Sequence, residues 1–148
     1  MNSFTEGEFA EMKPCPFCWP LVKREAIAVG EHCVTVPSVD PILAGSCMIV
    51  PKAHRETVFD LTEEEWADTY RLLAEAKARI DREWSPDGYN VGWNCMPVGG
   101  QTVPHAHLHV IPRFRDEPLA GKGIRHHLKQ PSNRRTAGPA AKSDAGER

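Results

Sequence analysis

Three histidines alternate with single apolar residues in GGQTVPHAHLHVIPRF, positions 99–114: His105, His107 and His109. An uncharged imidazole is a competent nucleophile and general base near neutral pH, and a protonated one donates to phosphate oxygens. A row of them behind the Gly99-Gly100 turn, whose backbone amides can approach an anion, suits phosphoryl or nucleotidyl transfer. In an extended strand residues two apart share a face and lie roughly 6.5–7 Å from one another, so the row spans about 13 Å. One tetrahedral zinc, with bonds of about 2.0–2.1 Å, cannot easily gather all three from such a backbone; at most two neighbours could share an ion. The plainer alternative is three surface histidines on a wet sheet face, yet seven histidines in 148 residues would rarely alternate so strictly behind a glycine turn.

A second chemical signal is the C-x-x-C pair Cys15 and Cys18 in PCPFCWP. A thioredoxin-like redox pair wants a helix opening at its first cysteine, and Pro14, Pro16 and Pro20 forbid an ordinary helix start there. A zinc half-site fits better, and a structural zinc then requires two more ligands. Cys33, Cys47 and Cys95 sit among apolar or small neighbours and read as buried small hydrophobes.

These residues need a scaffold. The stretch 26–36 is rich in Val and Ile and reads as one strand or two short pieces, VDPILAG as a loop, and SCMIVP as a short buried strand. The region 60–84 predicts a helix, with Thr62 and Glu65 as a capping box ahead of Trp66, Tyr70, Leu73, Ile80 and Trp84 on one face. Further strands are expected at 89–93 and 105–111. The result is an α+β domain with one long helix packed on a mostly antiparallel sheet.

Composition bounds the rest. The chain of 148 residues, 41% hydrophobic and 26% charged, fits one compact domain with a tail. A formal charge of -2 gives no global pull toward nucleic acid or membrane. No run reaches the ~18–20 apolar residues of a membrane span, and the polar leader, residues 1–14, lacks the features of a signal peptide, so the expected location is the cytoplasm. Residues 113–148 hold nine Lys or Arg against four Asp or Glu, whereas 1–112 hold nine against sixteen. The extension 115–148 is therefore basic, with disorder expected from about 131 and the preceding GKGIRHHLKQ ordered or solvated.

The H-x-H-x-H pattern with its GGQTV lead-in and VIPR exit resembles the histidine triad (HIT) family of nucleotide hydrolases and transferases. IVPKAH at 49–54 and NCMPVGGQTV at 94–103 are similar to the same family, and the likeness covers roughly 15–114. The resemblance implies a five-stranded sheet carrying one long helix, extended across a homodimer. It implies that His107 is the nucleophile on an α-phosphate, forming a covalent nucleotidyl-histidine that water cleaves, with His109 bonding the phosphate. A backbone carbonyl at or beside His105 would orient the nucleophile. Asn94, Gln101, Thr102 and Ser38 match nucleotide-contacting positions.

In C-x-x-C members the zinc site is completed by the histidine after the V-P-K element and by the first triad histidine. That gives Cys15, Cys18, His54 and His105 as ligands of a structural zinc. Two departures concern the nucleoside pocket. Ser38 stands where many members carry an aspartate for the ribose, with Asp40 two positions late, and Gly45-Ser46 replaces a Gly-His pair. The expected substrate is a nucleoside phosphoramidate, a nucleotidyl adduct or a dinucleoside polyphosphate, with neither nucleic acid nor membrane as a main partner. The alternatives are a non-catalytic nucleotide-binding module, and a catalytic metal shared by His105 and His107.

Overall fold

The computed structural model describes residues 14–137. The expectations for the leader and for residues 138–148 thus lie outside the described residues. The chain forms two compact units, the first ending at Phe114 and the second beginning at Arg115.

In the first unit five strands, β1 (Ala28–Val29), β2 (Cys33–Pro37), β3 (Cys47–Pro51), β4 (Gly88–Trp93) and β5 (Leu108–Arg113), form one sheet. Its order is β1-β2-β3-β5-β4 and every pairing is antiparallel. Helix α1 (Glu63–Trp84) joins β3 to β4. The α+β architecture is the one expected. No described helix is long and apolar enough to cross a membrane.

Each face of the sheet has its own core. Cys33, Cys47, Ile49, Leu108 and Val110 pack against Leu72, Ala76 and Ile80 of α1. On the opposite face Val34, Val36 and Val50 meet Val22, Phe17 and Met48. Strand alternation sends neighbouring residues to opposite cores, so β5 gives Leu108 and Val110 to the helix and leaves His109 half-buried on the other side.

α1 begins as its sequence requires. Thr62 caps it, its hydroxyl accepting from Glu65 N–H while the Glu65 carboxylate accepts from Thr62 N–H. The helix starts at Glu63 rather than 60 because Val58–Asp60 forms a separate 3-10 turn capped by Thr57. Its buried face also differs from expectation. Trp66, Tyr70 and Trp84 are exposed, and the buried row is Glu65, Asp68, Thr69, Leu72, Ala76 and Ile80.

The polar members of that row are hydrogen-bonded, which is how a buried carboxylate is tolerated. Asp68 Oδ2 accepts from the backbone N–H of His32 at 2.7 Å and of Cys33 at 2.8 Å, and Arg71 bonds Oδ1 at 2.7 Å. A Cβ on Gly30 would collide with that carboxylate, so glycine is required where the β1–β2 turn meets the helix. Burial pushes the Asp68 carboxyl up, but the bonds from His32, Arg71 and Cys33 outweigh it and hold it below the usual value. At the other end of α1, Tyr89 O–H donates to Asp81 at 2.6 Å and ties β4 to the helix.

The last strand begins at Leu108, not His105. Here β3 pairs with β5 only as far as Ile49–Leu108, and the chain before it is held irregularly. His105 N–H donates to Val103 O and Ala106 N–H to Arg55 O. Cys33 and Cys47 are buried as expected, but Cys95 is only half-buried, and all five cysteines are free thiols.

In the second unit, Ile124–Leu128 forms a short helix (α2) within GKGIRHHLKQ. A 3-10 turn spans Pro131–Asn133, inside the stretch expected to be disordered.

Candidate functional site

Three irregular segments, one before β1, one between β3 and α1 and one before β5, bring four ligand atoms together. Cys15 Sγ lies 3.4 Å and Cys18 Sγ 3.7 Å from His105 Nδ1. Cys18 Sγ is 3.3 Å from His54 Nδ1, and the two imidazole Nδ1 atoms are 3.2 Å apart. All four atoms lie within 4.8 Å of one another, close enough to hold one metal ion.

His105 is fully buried, and its Nε2 sits 2.8 Å from the Pro51 carbonyl. A carbonyl only accepts, so Nε2 carries the proton and the Nδ1 lone pair faces the sulfurs. Burial holds His105 down at about 4, so this imidazole is neutral at neutral pH. Burial and the adjacent Cys15 push the Cys18 thiol up to about 11. That is the expected behaviour of sulfurs packed together with no cation beside them, and a bound cation reverses it.

Next along the chain, His107 is 5% exposed and its Nδ1 lies 2.8 Å from the carbonyl of His105. The same reasoning places the proton on Nδ1 and leaves the Nε2 lone pair free, the tautomer a nucleophile needs. His109 packs edge-on against it with ring centroids 4.8 Å apart. Burial, and to a lesser degree His107, hold His109 below the ordinary imidazole value. Phe17, set between the two cysteines, lies 5.3 Å from the His107 ring and 6.0 Å from His105 by centroid. It walls the row with an apolar surface.

The glycine turn is a closed loop rather than an open one. Gly99 and Gln101 N–H both donate to Met96 O, Gly100 N–H donates to Pro97 O, and Gly100 takes a left-handed φ of 93°. Asn94 is half-buried, with its amide in ordinary contact distance of where a Gly100 Cβ would stand. Gln101 is buried, its Oε1 accepting from Met96 N–H at 2.7 Å and its Nε2 donating to Glu56 O at 2.6 Å. Thr102 is exposed beside it. Ser38 lies at the end of β2, half-buried, its N–H bonding Ser46 O at 3.1 Å. The structure therefore brings Cys15, Cys18, His54 and His105 into one cluster and sets His107 and His109 beside it, whereas Gln101 turns its amide to the backbone.

Three participants were missed in the sequence: Phe17, the Pro51 carbonyl, and Arg55, whose Nε bonds the buried Glu65 carboxylate at 2.9 Å. Only Phe17 carried a local signal, its place inside the C-x-x-C.

Comparison with known proteins agrees with the fold. The family model described as the HIT domain matches residues 22–116. Bis(5'-adenosyl)-triphosphatase from Saccharomyces cerevisiae is 33% identical over 106 residues, covering 70% of this chain and 50% of the yeast protein. The chain thus spans about half the length of that relative. Protein hit from Bacillus subtilis is 30% identical over 103 residues, covering 68% of this chain and 71% of its own. The crystal structure of a HIT family member from the same organism superposes with a TM-score of 0.66 at 25% identity, covering 82% of this chain and 89% of that one. With its five-stranded sheet, single long helix and clustered histidines, this chain belongs to the HIT domain family.

Proposed function

We propose that the protein is a nucleotide hydrolase that works at the α-phosphate of a dinucleoside polyphosphate or a nucleoside phosphoramidate. The observation that carries this reading is the Nδ1–H bond from His107 to the His105 carbonyl, which leaves Nε2 unprotonated. In the reaction His107 Nε2 forms a bond to phosphorus as the bond to the leaving group breaks, giving a nucleotidyl-histidine. Water then attacks that phosphorus and releases the nucleotide and the imidazole. His109 bonds the phosphate, and Asn94, Thr102, Ser38 and Gln101 contact the nucleotide, Gln101 through its loop and its remaining amide hydrogen. The name of the yeast relative favours a dinucleoside polyphosphate.

The cluster fits zinc. With Zn–S about 2.3 Å and Zn–N about 2.0–2.1 Å, tetrahedral edges are about 3.3 Å between nitrogens and about 3.6 Å between nitrogen and sulfur. Four of the six separations, 3.2 Å between nitrogens and 3.3–3.7 Å between nitrogen and sulfur, fall near those edges, and all four atoms lie within 4.8 Å of one another. When bound, the ion supplies a structural cross-link; Cys15 and Cys18 would tie the N-terminal segment to His54 and to His105 at the head of the histidine row.

A homodimer completes the proposal. β4 is an edge strand, and beside it Tyr70, Leu73 and Ala74 of α1 with Val91 line an apolar hollow of about 350 Å³. A second copy of this surface would extend the sheet and cover the hollow.

The test is intact-protein mass spectrometry of wild type and His107→Ala after brief mixing with an adenosine phosphoramidate or a diadenosine polyphosphate. An acid-labile adduct of one nucleotide mass on wild type alone is the expected result. Binding without adduct or turnover would overturn the hydrolase reading in favour of a nucleotide-binding module, for which Ser38 in place of the aspartate is the motivating observation.

A further inference from the structure

We infer that Arg55, held by Glu65, is a positioning residue for both the metal cluster and the histidine row. Three consecutive residues, 54–56, each support a different part of the site. His54 points Nδ1 into the cluster. The Arg55 carbonyl accepts from the N–H of Ala106 at 2.7 Å, between His105 and His107. The Glu56 carbonyl accepts from Gln101, which in turn holds Met96 and the glycine loop.

Neither 52–57 nor 94–107 belongs to a strand, so no ladder fixes this arrangement. A side chain does. Arg55 Nε donates to both Glu65 oxygens, at 2.9 and 3.2 Å. The Glu65 side chain is 4% exposed. It is immobilised twice over, as the third residue of a 22-residue helix and as one half of its capping box. Any slide of Arg55 shifts the acceptor of Ala106 N–H. It thereby disturbs the His105 carbonyl that holds the His107 proton, while His54 moves with the same backbone. Direct hydrogen-bond partners of metal ligands typically change metal affinity or activity by about 10- to 100-fold when removed, which sets the scale for a residue that holds the ligands through the backbone.

The alternative is an ion pair that only strengthens the helix start. The two are separated by measurements on the full, zinc-loaded chain well below its melting temperature, using Arg55→Met, Arg55→Lys and Glu65→Gln. Positioning predicts that Arg55→Met and Glu65→Gln speed zinc release to a chromogenic chelator and hydrogen exchange at the Ala106 amide, each by about 10- to 100-fold. With a diadenosine polyphosphate, kcat falls comparably, and the rise in KM that comes through the Gln101 loop held by Glu56 stays smaller than the fall in kcat. Arg55→Lys recovers part of each effect, and it carries the test with Glu65→Gln if Arg55→Met does not fold.

Lowered melting temperatures with zinc release, Ala106 exchange and kcat all at wild-type levels would overturn the inference. The kinetic arm rests on the proposed hydrolase reading. If wild type turns over no nucleotide, that reading fails, and zinc release with Ala106 exchange still decides the role of Arg55.

Discussion

Replacing Asp68 by alanine removes the acceptor shared by two backbone N–H groups at the β1–β2 turn. Cys33 is fully buried, so its N–H is left without a partner, whereas half-exposed His32 can recruit water. A hydrogen bond to a charged acceptor contributes roughly 1.5–3 kcal/mol, and an orphaned buried donor costs about 1–3 kcal/mol. Taking one full loss at Cys33 and a partial one at His32, Asp68→Ala should destabilise the protein by about 3 kcal/mol. At about 4 °C per kcal/mol for a domain of this size, the melting temperature falls by about 12 °C.

Far-UV circular dichroism at pH 7 with fixed excess zinc reads this directly, since bound metal otherwise moves the transition. The carboxyl is held below its usual value in the folded protein, so its contribution is fully present above the unfolded pKa and is lost as pH falls through the folded one. The gap between wild type and Asp68→Asn should therefore stay constant above about pH 5 and close on further acidification. A drop of less than about 3 °C at pH 7 for Asp68→Ala, or a gap that widens in acid, would refute the reasoning.

Two further outcomes follow from the site and the edge. Cys18→Ser should abolish stoichiometric zinc binding in native mass spectra, and chelation of wild type should remove activity slowly, together with loss of tertiary signal; instant recovery on adding zinc would instead indicate a catalytic ion. Val91→Glu, placing a charge in the apolar hollow on the edge strand, should convert a dimer into monomers in sedimentation with the fold retained; an unchanged mass would place the interface elsewhere.

The grouping of the candidate site residues was the most legible part of the sequence because its signals are local. The C-x-x-C pair, the alternating histidines and the Thr62–Glu65 capping box each occupy a few consecutive residues whose spacing reports their geometry. The buried face of α1 was illegible for the opposite reason. Glu65 and Asp68 look like solvated charges until the residues they bond, Arg55, His32 and Cys33, are brought in from elsewhere in the chain. Apolar periodicity then favours Trp66 and Tyr70, which are exposed. The early start assigned to the last strand has a similar origin: alternation continues through His105 and His107, but Ala106 bonds Arg55 instead of a strand neighbour.

That both imidazoles are oriented by backbone carbonyls has an electrostatic meaning. Residues 88–112, which carry Asn94, the glycine loop and the histidines, contain no Asp, Glu, Lys or Arg. A carboxylate could orient His107 equally well, but its charge, about 7 Å from an incoming phosphorus, would repel each unit of phosphate charge by on the order of 2 kcal/mol at an effective dielectric of about 20. A peptide carbonyl selects the tautomer as a neutral dipole. On the proposed reading, His107 would meet the phosphate with its tautomer set by a dipole and no charged group bonded to its ring.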